Sequence, residues 1–169
     1  PLASGKLLQP VDVVVNNQGD LIVADLGLGG IYKISRDGSV QQIAQVHTPR
    51  AVAVADKTLV VISNKDLVRV SETGKVDQIT QKGAFESPSS VAVNAIGEYI
   101  VSDGYAKTIW KVSQDGKVIA LAKGDALKNP QGVTIDNKGA IFVADPHAKA
   151  IFRISADGKI TAVVKADSQ

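Results

Sequence analysis

This 169-residue sequence predicts an all-β fold: four consecutive four-stranded meanders arranged as the blades of a β-propeller. Three observations carry the prediction. First, the chain repeats itself. IFVADPHAKAIFRISADGKI (141–160) laid over YIVSDGYAKTIWKVSQDGKV (99–118) is identical at nine of twenty positions, at an offset of 42 residues. Second, prolines 10, 49, 88 and 130 are spaced by 39, 39 and 42 residues, and each opens the same succession of apolar runs and turns. Third, those runs are rich in Val and Ile, and none shows an apolar stripe at helical spacing. Self-similarity at about 40 residues, with four short strands per unit, is the period of a propeller blade.

The elements follow in order from each proline. The first strand is VDVVV (11–15), AVAVA (51–55), SVAVN (90–94) or GVTID (132–136). A short turn leads to the second: LIVAD (21–25), LVVIS (59–63), YIVSD (99–103) or IFVAD (141–145). Successive apolar positions in these two strands fit sheets covered on both faces, which lose strict in–out alternation. A variable loop then reaches the third strand: IYKIS (31–35), LVRVS (67–71), TIWKVS (108–113) or AIFRIS (150–155). The turns RDGS, ETGK, QDGK and ADGK deliver the fourth: VQQIA, VDQIT, VIALA or ITAVV. Asp-Gly between apolar runs is the strongest short hairpin signal, since both central residues can take positive φ.

The blades are placed at about 10–48, 49–87, 88–129 and 130–166 in a single domain. PLASGKLLQ (1–9) resembles LAKGDALKN (121–129), so residues 1–9 read as a leader or as the remnant of a preceding last strand. The favoured expectation is closure by these four blades, since an uncovered apolar sheet face at either end exceeds what a soluble monomer tolerates. The alternative is a four-blade portion of a larger, six-bladed propeller. Four-bladed closure implies a monomer, the alternative self-association.

Composition excludes several classes. With no cysteine there is no disulfide, thiolate metal site or cysteine nucleophile. A formal net charge of +2 is far from the concentrated charge of a nucleic-acid binder, so DNA is excluded as a partner. No apolar run approaches the roughly 20 residues of a membrane helix. The composition is that of a soluble chain. The compartment stays open, because a mature exported chain would have lost its signal peptide.

The pattern proline-x-x-V-A-V, D-x-x-G-x-(I/F)-V-A-D, I-x-(K/R)-(I/V) and D-G-K resembles the NHL repeat. It is best preserved in PQGVTIDNKGAIFVADPHAKAIFRISADGK, next best in the third repeat. The first repeat keeps GDLIVAD and DGS. The second lacks the glycine turn and has Ser63-Asn64 where the others have Asp. The resemblance spans residues 10–165 and implies a propeller. It implies no single activity, since NHL-like propellers include protein-binding scaffolds, RNA-binding modules and some enzymes.

Repetition separates scaffold from site: a residue type recurring in every blade serves the blade, whereas an unusual loop residue is a better candidate. Asp25, Asp103 and Asp145 end the second strand in three repeats and are expected to accept backbone hydrogen bonds from the following loop. The other reading is a ring of carboxylates holding a cation in the channel; no other cofactor is expected. Lys33, Arg69, Lys111 and Arg153 form a basic column whose stems are expected to cover apolar surface. Tyr32, Trp110 and Phe152 beside them read as packing between blades, and RNA binding, which wants exposed aromatics amid concentrated charge, is disfavoured. The loops joining strands two and three, with the crossings between blades, share one face of a propeller. That face is expected to carry the ligand- or partner-binding residues Arg50, Asn64, Lys65, Tyr105, Lys107, His147 and Lys149, with Glu86, Asn129 and Gln131 beside them. His47 and His147, with Asp145, are the candidates for a transition metal. LGLGG (26–30) is not a phosphate loop, for no Gly-Lys-Ser/Thr follows it.

NHL-like lyases are expected to use several histidines with a tyrosine and an arginine. This chain has two histidines, and Tyr105, His147 and Arg50 form the sole trio to offer. Asp12, Asn16, Asn94 and Asp136 on the innermost strands do not form a converging set. The reading is therefore a non-catalytic binding or scaffold module for a protein, a peptide or a small ligand. The alternative is a lyase- or hydrolase-type propeller with a metal near the channel mouth.

Overall fold

The computed structural model describes residues 6–166. The first five residues of the segment read as a leader or remnant lie outside the described residues. Sixteen strands form four sheets, and the described residues contain no α-helix. The first sheet comprises β1 (Pro10–Val15), β2 (Leu21–Asp25), β3 (Gly30–Ile34) and β4 (Val40–Gln45). The second comprises β5 (Pro49–Ala55), β6 (Thr58–Ser63), β7 (Asp66–Val70) and β8 (Val76–Gln78). The third comprises β9 (Pro88–Val93), β10 (Tyr99–Asp103), β11 (Thr108–Val112) and β12 (Val118–Lys123). The fourth comprises β13 (Gly132–Ile135), β14 (Ile141–Asp145), β15 (Ala150–Ile154) and β16 (Ile160–Lys165). Every sheet is an antiparallel meander in sequence order, the architecture of four propeller blades. The strands group into two compact units divided between Ile79 and Thr80, two sheets in each.

Within each unit one sheet packs its face on the next. In the first, Ile22, Ala24, Ile31 and Ala44 meet Val52, Val61, Val68 and Val70 of the second sheet. In the second, Ile100, Ile109, Ala122 and Leu127 meet Ile141, Val143, Phe152 and Ile154. Burying one such Val or Ile contributes roughly 1.5–3 kcal/mol. A ladder hydrogen bond contributes about 1 kcal/mol net, so face-to-face packing decides which residues must be apolar. Successive positions of β2 and β10 are buried because both of their faces are covered. β14, of almost the same sequence, alternates between buried and half-buried. Phe152 takes the predicted packing role, buried at the junction of the third and fourth sheets. Phe85 stacks on Trp110 at a tilt of 55° and a centroid distance of 6.3 Å.

The hairpin turns take one form in all four sheets. In Ser35–Ser39 the Gly38 N–H bonds to the Ser35 carbonyl (2.9 Å) and the Ser35 N–H to the Ser39 carbonyl (3.0 Å). Positive φ belongs to Gly38, Gly74, Gly116 and Gly158, while their aspartate or threonine neighbours stay in the ordinary region. Each is thus a type I turn closed by a left-handed glycine, not a two-residue turn with two left-handed residues. The preceding aspartate faces its own hairpin: the Ser113 and Ser155 hydroxyls donate to Asp115 and Asp157. These bonds hold both exposed carboxyls below the usual carboxylate range.

The turn glycines also set the distance between sheets. A Cβ on Gly74 would lie 2.3 Å from the Ile43 carbonyl oxygen, and one on Gly158 only 2.0 Å from that of Leu121. In both units, therefore, the last turn of one sheet rests on the outermost strand of the sheet before it.

Candidate functional site

The strand-end aspartates assemble the loop end of three sheets. The buried Asp103 carboxylate accepts the N–H groups of Glu86 (2.8 Å), Ser87 (2.9 Å) and Ala106 (3.1 Å). Asp145 does the same with Lys128 (2.7 Å), Asn129 (3.0 Å) and Ala148 (2.9 Å). Asp25 accepts from Leu8 (2.8 Å), Gln9 (3.1 Å) and Leu28 (2.9 Å). The expected bond from the following loop is present. Two further donors come from the crossing 16 or 17 residues earlier, so one carboxylate joins crossing to loop. Burial raises the Asp25 pKa, but the N–H groups of Leu28, Gln9, Leu8 and Gly27 outweigh it, leaving the carboxyl below its ordinary range.

In the second sheet Ser63 replaces the carboxylate. Its hydroxyl donates to the His47 carbonyl (2.7 Å), and the Asn64 N–H bonds to the Thr48 carbonyl (3.0 Å). Arg50, Asn64, Lys65 and His47 are all exposed around this end of the first unit. Leu28, from the glycine-rich loop of the first sheet, is also exposed.

The second unit brings the other four predicted residues around the crossing 128–131. Tyr105 and Lys107 stand on the β10–β11 loop, both exposed, Tyr105 at 78%. That loop lies against the crossing: a Cβ on Gly104 would sit 2.1 Å from Asn129 Oδ1. Gln131 Nε2 donates to the same oxygen (2.8 Å), and the Ser102 hydroxyl to the Gln131 carbonyl (2.8 Å). His147 and Lys149, both exposed, stand on the β14–β15 loop, tied to the crossing through Asp145. Beside them is a cavity of about 530 Å³ lined by Asp125, Lys128, His147, Phe152, Ala162 and Lys165.

Lys107 (φ 50°) and Lys149 (φ 51°) both have a left-handed backbone. Gly29 holds the matching position in the first sheet, and in the shorter loop of the second Asn64 is the left-handed residue. The turn thus demands this conformation, and the first two sheets meet it with residues that adopt it readily. The second unit meets it twice with lysine.

One feature of the first unit was not anticipated. A cavity of about 640 Å³ opens at the hairpin end, lined among others by Asp20, Lys33, Asp56, Lys57, Gln41 and Glu72. In the sequence these belong to turn signals and to the basic column, so nothing marked them as one site. Asn16 beside them is committed to its turn, its Oδ1 accepting the Gln18 and Asp20 N–H groups (3.0 and 2.8 Å). Asn94 and Asp136 do likewise in the third and fourth sheets, whereas Asp12, the remaining polar residue of the innermost strands, accepts the Val52 N–H of the second sheet (2.9 Å). Among the described residues no three His, Asp or Glu side chains converge as a metal site.

Four repeated meanders, three of them with Asp-capped loop ends, define an NHL-type β-propeller chain. The chain belongs to the Teneurin NHL domain family, whose model matches residues 2–169. A search among curated protein sequences returned no match. Among solved structures the chain is similar to catalytically inactive H270A virginiamycin B lyase from Staphylococcus aureus with quinupristin. There the TM-score is 0.80 at 16% identity, over 94% of this chain and 56% of that one. It is similar to a streptogramin B lyase, with a TM-score of 0.78 at 16% identity over 89% and 52%. It is also similar to a putative gluconolactonase, with a TM-score of 0.76 at 19% identity over 97% and 65%. The chain spans about half the length of the two lyases, and at these identities the likeness is one of fold.

Proposed function

We propose that this chain is a non-catalytic binding module whose loop end in the second unit captures an acidic peptide or protein segment. Tyr105 supplies an apolar platform with a polar tip. Lys107, Lys128 and Lys149 supply the charge complement, with the exposed His147 beside them. The observation that carries the reading is lysine in the left-handed positions 107 and 149. A non-glycine residue there costs about 1–2 kcal/mol, and the neighbouring sheets avoid that cost with Gly29 and Asn64. A cationic side chain held at such a position serves something other than the turn. Asp103 and Asp145 support binding over catalysis, because backbone N–H groups already occupy both carboxylates.

The test is a Lys107→Gly, Lys149→Gly double variant titrated with a fluorescent glutamate-rich peptide containing one leucine. The variant should melt no lower than the parent, since glycine relieves the backbone. Its affinity should fall about tenfold, a loss of about 1.4 kcal/mol, and the parent's affinity should weaken with added salt. Equal affinity of parent and variant would overturn the reading.

A further inference from the structure

The hairpin-end cavity of the first unit, about 640 Å³, takes no part in the loop-end site of the second. It opens between the first two sheets, and cross-strand register explains its walls. Ile22 stands opposite Lys33, so both occupy the face of the first sheet that the second covers. Val54, Leu59 and Val70 stand in register in the second sheet and form the other wall. Above this apolar floor the turns supply a charged rim: Asp20 from β1–β2, Asp56 from β5–β6 and Glu72 from β7–β8. The last of these turns is held in place by Gly74, which rests on the Ile43 carbonyl.

The third sheet carries the same two positions as Lys33 and Asp20, and there they neutralise each other. Lys111 Nζ lies 3.7 Å from Glu98 Oε1, and Glu98 Oε2 also accepts the Asn94 side-chain amide (2.9 Å). Asp20 is one methylene shorter than Glu98. Its carboxylate takes only the Asn16 side-chain amide, at 3.4 Å, and among the described residues Lys33 forms no ion pair. A half-buried ammonium without a counter-charge is costly, and one more methylene would have supplied the partner. The second sheet departs from the repeat as well. The other three sheets close this turn with a left-handed glycine, Gly19, Gly97 or Gly139, whereas the two-residue turn of the second has Asp56 in the left-handed region (φ 53°). A carboxylate thus stands at the lip of the cavity where glycine serves elsewhere.

These groups narrow the ligand. The rim carboxylates repel a phosphate dianion, and no lining residue is aromatic, so a nucleobase finds no stacking platform. Lys33 can take one carboxylate, the rim can take one ammonium, and the floor between them takes apolar side chains. No carboxylate of the protein reaches Lys33, so the two charges of the ligand must also stand apart, as they do in a dipeptide and not in a free amino acid. The volume falls within the roughly 300–1,000 Å³ of small-molecule sites. We propose that this cavity binds a zwitterionic dipeptide of apolar residues, its carboxylate on Lys33 and its ammonium at Asp20 and Asp56.

An NMR titration of the whole chain with the dipeptide Leu-Val, to millimolar concentration, tests it. Shifts should be confined to residues around the cavity and saturate at one ligand per chain. Leu-Val with its C-terminus amidated should bind the parent about tenfold more weakly, since it forfeits a charge-assisted bond. Lys33→Gln should weaken Leu-Val by about the same factor and leave the affinity of the amidated ligand unchanged. N-terminal acetylation should weaken binding to the parent, and far less to an Asp20→Asn, Asp56→Gly double variant, in which glycine keeps the left-handed turn. The Lys107→Gly, Lys149→Gly variant should bind Leu-Val as the parent does, which separates this cavity from the loop-end site. The amidated and acetylated ligands probe the parent itself, so the outcome does not depend on any variant folding. Absence of binding at millimolar Leu-Val would overturn the proposal. So would equal affinity for Leu-Val and its amide, or for Leu-Val and free leucine.

Discussion

The second sheet and the fourth solve the same problem at their loop ends with different chemistry. In the fourth, the buried Asp145 gathers three backbone N–H groups from two segments. In the second, Ser63 gives one hydroxyl hydrogen to one carbonyl, and a backbone bond from Asn64 to Thr48 makes up the rest. A carboxylate can organise a four-residue loop such as 146–149. A hydroxyl suffices for the two-residue turn between β6 and β7. Loop length and strand-end residue are therefore one property, and the longer loops of the second unit are the ones that carry Tyr105, Lys107, His147 and Lys149.

Removing the strand-end group should break that contrast most visibly. Asp145→Ala leaves three N–H donors near a site its carboxylate filled. Since one unsatisfied buried group costs about 1–3 kcal/mol, the loss should reach about 3 kcal/mol or more. Ser63→Ala removes one neutral bond at an exposed edge and should cost about 1 kcal/mol. Urea unfolding of both variants measures the difference, and equal losses would show that the carboxylate is not the organising group.

A smaller effect is expected where loop meets crossing. Gly104→Ala brings a Cβ to 2.1 Å from Asn129 Oδ1, so the amide must swing away and give up its bond from Gln131. The stability loss should be about 1 kcal/mol, one neutral hydrogen bond. The β10–β11 loop should shift, and binding of the glutamate-rich peptide should drop while the second sheet is untouched. Full binding by Gly104→Ala would separate the loop from the crossing.

How much of this was legible in the sequence differs by level. The strands and the Asp column were readable because blades repeat: each apolar run occurs four times, and Asp25, Asp103 and Asp145 share one place. The double role of those aspartates was not, because their crossing donors lie 16 or 17 residues upstream and backbone N–H groups carry no side-chain signature. The turn type was not legible because Asp-Gly fits both turn classes, and hydrogen bonding at Ser35–Ser39 decides between them. Four of the seven predicted binding residues meet around the crossing 128–131, since loop position follows from strand order. The left-handed Lys107 and Lys149 escaped notice because lysine gives no warning of positive φ. The hairpin-end cavity of the first unit was hidden by the regularity of its turns.

The smallest expected effect concerns pH and sharpens the contrast between carboxylate and hydroxyl. Asp25 is held below its ordinary value in the folded chain. A group whose folded pKa is depressed contributes stability that is fully present above its unfolded value, about 3.9, and is lost as pH falls through the folded value. Ser63 does not titrate. Below about pH 4, therefore, the amides that Asp25 holds, those of Gln9 and Leu28, should lose hydrogen-exchange protection once intrinsic rates are corrected. The Asn64 amide, bonded to the Thr48 carbonyl, should keep its protection over the same interval. Asp25→Asn should remove the acid dependence at Gln9 and Leu28, because the amide has no proton to gain in that range. If Asn64 were to lose protection together with Leu28, the two sheets would be opening as one body, and their loop ends would not be independent.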